Sequence, residues 1–137
     1  MADNGLTTLA SAYDVKTTID RLEAAAKAKG LRVFARIDHG AGAMAAGLKL
    51  RTTELLIFGN AKGGTPLMQS QQTIGIDLPL KALAWEDAAG KIWLSYNDPV
   101  WLAARHELSA QAGEVAKVLA GVLAGLAKTA TESGEQE

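Results

Sequence analysis

The chain contains no cysteine, which excludes disulfides, thiolate nucleophiles and zinc–thiolate centres. His39 and His106 are its only histidines, so a multi-histidine metal centre within one chain is excluded as well. Charge of either sign is not in surplus: 14 basic residues face 15 acidic ones, for a formal net charge of -1. No overall cationic field is therefore available to hold a polyanion, and no basic patch with interleaved aromatics appears, so nucleic acid is not expected as a partner. No run approaches the roughly 18 consecutive apolar residues of a membrane span. The most apolar region, Val115 to Ala127, is interrupted by Lys117. The start, Met1-Ala2-Asp3-Asn4-Gly5, is polar and lacks a basic region followed by an apolar one, so no secretory leader is read. The expectation is a cytoplasmic protein with no membrane partner and no cofactor.

What is present is ordinary globular material: 137 residues, 48% of them apolar and 21% charged. That length suits one domain and one substantial core, read here as about residues 6–128 with a polar tail at 129–137. Leu6 to Tyr13 is a first strand. Asp14 then offers a helix cap, and Val15, Ile19, Leu22 and Ala26 recur on one helical face up to the stop at Gly30. Leu31 to Asp38 alternates, with Leu31, Val33, Ala35 and Ile37 on one face and Arg32, Phe34, Arg36 and Asp38 on the other. Ala41 to Leu48 is a short helix. Thr53 to Phe58 is apolar on both faces and is expected to be central. Two further strands, Lys81 to Glu86 and Lys91 to Tyr96, flank a turn ending in Gly90, the pattern of a hairpin. Asp98-Pro99 opens a helical stretch to about Lys128, with Gly113 as a point of division. The order strand, helix, four strands, helix defines an α+β fold. Its sheet is expected to be curved and antiparallel, with helices packed on one face.

The segment from Gly59 to Pro79 is too long for an ordinary loop and carries apolar anchors of its own. Thr65-Pro66 is its expected helix start.

Several blocks resemble the family called domain of unknown function 302: Leu56-Ile57-Phe58-Gly59-Asn60, Gly64-Thr65-Pro66-Leu67-Met68, Asp77-Leu78-Pro79-Leu80-Lys81, Trp85-Glu86-Asp87 and Tyr96-Asn97-Asp98-Pro99. The resemblance covers roughly residues 10–108. It implies a TBP-like α+β fold in a small protein, often a dimer, with no established activity. Ala61 departs from the pattern, which places proline after the Gly-Asn pair.

Four groups are candidate sites. Gly59-Asn60-Ala61-Lys62-Gly63-Gly64-Thr65 is glycine-rich and carries a lysine, which suits an anion cradle or simply a turn; its spacing is not that of a Walker A loop. Asp38, His39 and Glu54 have the chemistry for one divalent metal or for proton transfer, and equally suit a satisfied strand end. Asp77 and Lys81 are expected to form a salt bridge across Pro79. Phe58, Trp85, Trp93, Tyr96 and Trp101 suit a core, a dimer contact or an apolar pocket. His106 is read as part of a solvated helix face.

Three functional readings follow. In the first, a small-molecule-binding domain uses Phe58, Met68, Trp85 and Tyr96 as lining and Asn60, Thr65 and Lys81 as polar contacts. In the second, a metal- or acid/base-dependent enzyme uses His39, Glu54 and Asp77. The third is a purely structural homodimer.

Overall fold

The computed structural model describes residues 3–133. Five strands form one antiparallel sheet: β1 (Leu6–Ala10), β2 (Arg32–Asp38), β3 (Thr53–Gly59), β4 (Leu80–Glu86) and β5 (Ile92–Asn97), in the spatial order β1-β5-β4-β3-β2. The helices are α1 (Val15–Ala28), α2 (His39–Ala45), α3 (Ala61–Ser70), α4 (Pro99–Arg105) and α5 (Ala110–Thr131), with a 3₁₀ helix at Gln72–Ile76.

Local chemistry sets the element boundaries. Asp14 caps α1, its carboxylate accepting from the Thr17 N–H at 2.7 Å, and Val15, Ile19, Leu22 and Ala26 are buried on the predicted face. Gly90, at φ 85°, closes the β4–β5 turn in the left-handed conformation that glycine adopts without a Cβ clash. Asp98 caps α4 and Pro99 occupies its first turn. Gly5 permits a close approach: a Cβ there would lie 2.4 Å from the Trp101 ring. Trp101 thereby seats α4 against the start of β1.

One sheet face carries the core. Leu56 and Phe58 of β3, Ala82 and Ala84 of β4, and Leu94 and Tyr96 of β5 pack with α1 and with Leu123, Leu126, Ala127 and Ala130 of α5. α5 is by length and composition apolar enough to cross a membrane, although Lys117 and other polar residues interrupt its apolar run. A second, smaller cluster joins Leu67 and Ile74 to Leu102, Ala103, Ala112 and Ala116.

Several boundaries differ from the sequence reading. β1 stops at Ala10 rather than Tyr13. The final helical stretch divides at 106–109, where Glu107 adopts φ 55°, and not at Gly113, which lies inside α5. α5 continues to Thr131, because Ala130 and Thr131 are buried; the expected frayed tail begins earlier than that, and its last residues, 134–137, lie outside the described residues. In β2 the pairing register shifts between Val33 and Ala35. This bulge inserts Phe34 and exchanges the faces beyond it. Val33 pairs with Phe58 and Arg36 with Leu56 on the helix-covered side, while Ala35 and Ile37 join the uncovered side. Strict alternation had placed Val33 with Ile37.

Candidate functional site

The long connection between β3 and β4 is not a loop. Asn60 caps α3 by accepting from the Gly63 N–H at 2.7 Å. The helix thus starts at Ala61, and Pro66 sits inside it rather than at its first position. The chain then turns through the 3₁₀ helix and a cis Leu78–Pro79 peptide into β4.

Between this connection, the start of β2 and the outer side of α5 lies a cleft of about 590 Å³, within the range typical of small-molecule sites. Leu31 and Phe34 line it from β2 and the turn before it; Met68, Leu78 and Pro79 line it from the connection; Val115, Val118, Leu119 and Val122 line it from α5. The bulge in β2 is what brings Phe34 here. Glycines form the α3 wall. A Cβ at Gly64 would meet Leu78 Cδ1 at 3.6 Å and Met68 Cε at 3.8 Å, and one at Gly63 would press on Leu119 Cδ2 at 3.2 Å. Lys29, Asn60 and Lys62 supply the polar side chains of the lining. Val118 is 66% exposed, so the apolar stripe on α5 is not wholly spent on the core.

The seven residues expected to line a ligand site fall in different places. Asn60 and Met68 line the cleft. Thr65 is exposed on α3 and does not line it. Phe58 and Tyr96 belong to the core between sheet and helices. Trp85 and Lys81 alternate with Ala82 and Ala84 and therefore point to the uncovered face. There the Trp85 indole N–H donates to Ser95 Oγ at 2.9 Å, and Trp85 and Trp93 lie with ring centroids 6.3 Å apart.

The acidic and histidine candidates do not gather into one centre. The Glu54 side chain is buried against Arg36, whose guanidinium also meets Asp20 at 2.8 Å and Glu23 at 3.1 Å. Hydrogen bonds that the guanidinium donates to Glu54, Asp20 and Glu23 hold the Arg36 pKa above its ordinary value. Asp38 caps α2, accepting from the Ala41 N–H at 2.8 Å, and His39 is exposed in the first turn of that helix. No group of three or more His, Asp and Glu suited to hold a metal occurs among the described residues.

The expected Asp77–Lys81 salt bridge is replaced by two other arrangements. The Lys81 amine donates to the carbonyl oxygens of Pro79 at 2.8 Å and Asp77 at 3.1 Å, and burial pushes its pKa down. The Asp77 carboxylate instead meets Arg105 at 3.0 Å and His106 Nε2 at 2.6 Å, while His106 Nδ1 shares a hydrogen bond with the Thr73 hydroxyl at 2.9 Å. The His106 side chain is only 8% exposed, so it is not on a solvated face. The turn after α4 folds it inward, onto a segment about 30 residues earlier. Local sequence gives no signal for that meeting.

An α+β domain with helices over one sheet face and an apolar cleft at the edge of that layer is the class these features define. Residues 7–126 match the model of the family described as Domain of unknown function DUF302, and the chain belongs to that family. The fluoride-specific ion channel FluC 1 of Brucella suis biovar 1 (strain 1330) is 59% identical over 106 residues, which are 77% of this chain and 42% of that protein. The fluoride-specific ion channel FluC 2 of Brucella melitensis biotype 1 (strain ATCC 23456 / CCUG 17765 / NCTC 10094 / 16M) matches at 59% over 106 residues and 39% of its length. The chain therefore spans about two fifths of the length of these relatives. The crystal structure of an uncharacterised conserved DUF302 protein from Bacillus stearothermophilus superposes with a TM-score of 0.83, covering 93% of this chain and 99% of that one at 19% sequence identity. At that identity the likeness is one of fold.

Proposed function

We propose that the protein is a binding module for a small, mainly apolar molecule, held in the cleft between α3, the start of β2 and α5. The observation that supports this reading is the cleft itself: about 590 Å³ walled by aliphatic and aromatic carbon. Burying a ligand there removes apolar surface of both partners from water, at ~25 cal/mol per Å². The glycines of the α3 wall keep that side free of side chains: a Cβ at Gly64 would already stand at van der Waals distance from Leu78 and Met68, 3.6 and 3.8 Å away.

A second reading concerns the uncovered sheet face, where Leu55, Ile57, Leu83, Trp85 and Trp93 are only partly shielded and Leu6 is 53% exposed. Apolar surface of this kind favours association, and a homodimer through this face is the assembly we propose. Fluoride conduction is named for the Brucella relatives as whole proteins. In our reading the shared part is a ligand-responsive module appended to such proteins rather than their pore, since its α5 packs on α1 and the sheet.

The test is fluorescence titration with N-phenyl-1-naphthylamine, a neutral apolar probe. Saturable one-to-one binding is expected, and Gly64→Leu should abolish it while leaving the thermal unfolding transition in place. No saturable binding by the parent chain overturns the reading.

A further inference from the structure

The polar groups of the cleft specify the kind of molecule it takes. Its lining contains no aspartate or glutamate, and its only charged side chains are Lys29 and Lys62. Both are exposed at the rim, Lys29 at the C-terminal cap of α1 and Lys62 in the first turn of α3. Neither amine is paired with a carboxylate among the described residues. The chain as a whole is slightly acidic, so a lining with two lysines and no acid is a local departure from its average. Asn60 adds a side-chain amide at the same end, its oxygen already engaged by the Gly63 N–H. The rest of the lining, with Leu31, Met68, Leu78, Leu119 and Val122 among it, presents carbon, and Phe34, 46% exposed, adds its ring. A ligand with hydroxyls or charges along its body would lose their hydration with nothing in return. A cationic head would meet two like charges; an anionic head would meet two opposite ones, with the positive end of the α3 dipole beside them.

We infer that the cleft selects an amphipathic anion: a hydrocarbon body carrying one terminal carboxylate or comparable anionic head, seated with the head between Lys29 and Lys62. This rests on the cleft being a binding site at all, and it adds the class of ligand. The head group is held at the surface, where ion pairs are individually weak and screened by salt. Affinity therefore comes mostly from the body, and discrimination from the head.

Three ligands of equal chain length separate these contributions by isothermal titration calorimetry: dodecanoate, dodecanol and dodecyltrimethylammonium, each below its micelle-forming concentration. Dodecanoate is expected to bind about tenfold more tightly than dodecanol, and the cationic ligand more weakly than either. Raising the salt concentration should close the gap between dodecanoate and dodecanol from the dodecanoate side. The Lys29→Glu/Lys62→Glu double variant should bring dodecanoate to or below the affinity of dodecanol for the same variant; Lys62→Gln alone should narrow the gap. Equal binding of dodecanoate and dodecanol by the parent chain overturns the anion selection and leaves the cleft reading standing. Absence of binding by all three overturns the cleft reading, and this inference with it.

Discussion

Asp77 shows how one carboxylate fastens distant segments. It takes both Arg105 and His106, and so ties the turn after α4 to the connection that forms one wall of the cleft. Hydrogen bonds to a charged acceptor contribute about 1.5–3 kcal/mol each, but Arg105 is 51% exposed, and solvent screening lowers its share. The weight falls on the enclosed His106 ring. Asp77→Ala is expected to destabilise the fold by about 1–3 kcal/mol in urea unfolding. A variant within about 0.3 kcal/mol of the parent would show that the carboxylate contributes nothing net. His39 is the contrast. The sequence makes it the candidate for chemistry and His106 a residue of a solvated face, yet His39 is exposed on a short helix while His106 is enclosed. Nothing in the immediate neighbours of either residue distinguishes the two, because enclosure is decided by which segment packs over the ring.

At the scale of elements, α1 is the most legible piece and also a source of pH dependence. Its cap, its buried face and its stop can all be read from residues 14–30, because a helix needs only contacts three and four residues apart. Hydrogen bonds hold several carboxylates in this layer below their ordinary pKa: the Thr17 backbone N–H for Asp14, Lys16 and then Arg36 for Asp20, and Lys27 and then Arg36 for Glu23. A lowered folded-state pKa means that the unfolded chain takes up protons first as the pH falls. Stability from these groups is present above the ordinary carboxylate range and is lost as the pH drops through their folded values. The urea midpoint should be flat from about pH 7 to about pH 5 and should decline below about pH 4. Asp14→Asn, which keeps a capping oxygen but does not titrate, should shorten that decline. A midpoint that is flat down to about pH 3 would contradict this account. β2 is the opposite case. Its alternation is clear in the sequence, but the bulge at Phe34 depends on pairing with β3, and one inserted residue moves every later side chain to the other face.

For the whole molecule, the question is what covers the second sheet face. The helices take the face of Leu56, Phe58, Ala82 and Leu94, and among the described residues the face of Leu83, Trp85 and Trp93 is only partly shielded. If two copies bury it, sedimentation equilibrium at micromolar concentration should give twice the 14.3 kDa chain mass. Leu83→Glu should then give the monomer mass with the same circular dichroism spectrum, because Leu83 is only partly buried within its own chain. A monomeric parent chain would remove the dimer from consideration without touching the cleft, which lies on the helix-bearing side.

The sequence by itself determined the α+β class, the helix caps at Asp14 and Asp98, the turn at Gly90 and the family, because these depend on residues near one another in the chain. Only the tertiary structure decided that the helix within the Gly59–Pro79 segment starts at Ala61 under an Asn60 cap and that Asp77 pairs with Arg105 and His106. It alone separated Asn60 and Met68 in the cleft from Phe58 and Tyr96 in the core and from Trp85 and Lys81 on the open face. The physical reason is that an apolar residue's type fixes only its preference for burial. Which surface buries it is set by strand register, by a single bulge, and by the packing of α5, which begins at Ala110, against α3, which ends at Ser70.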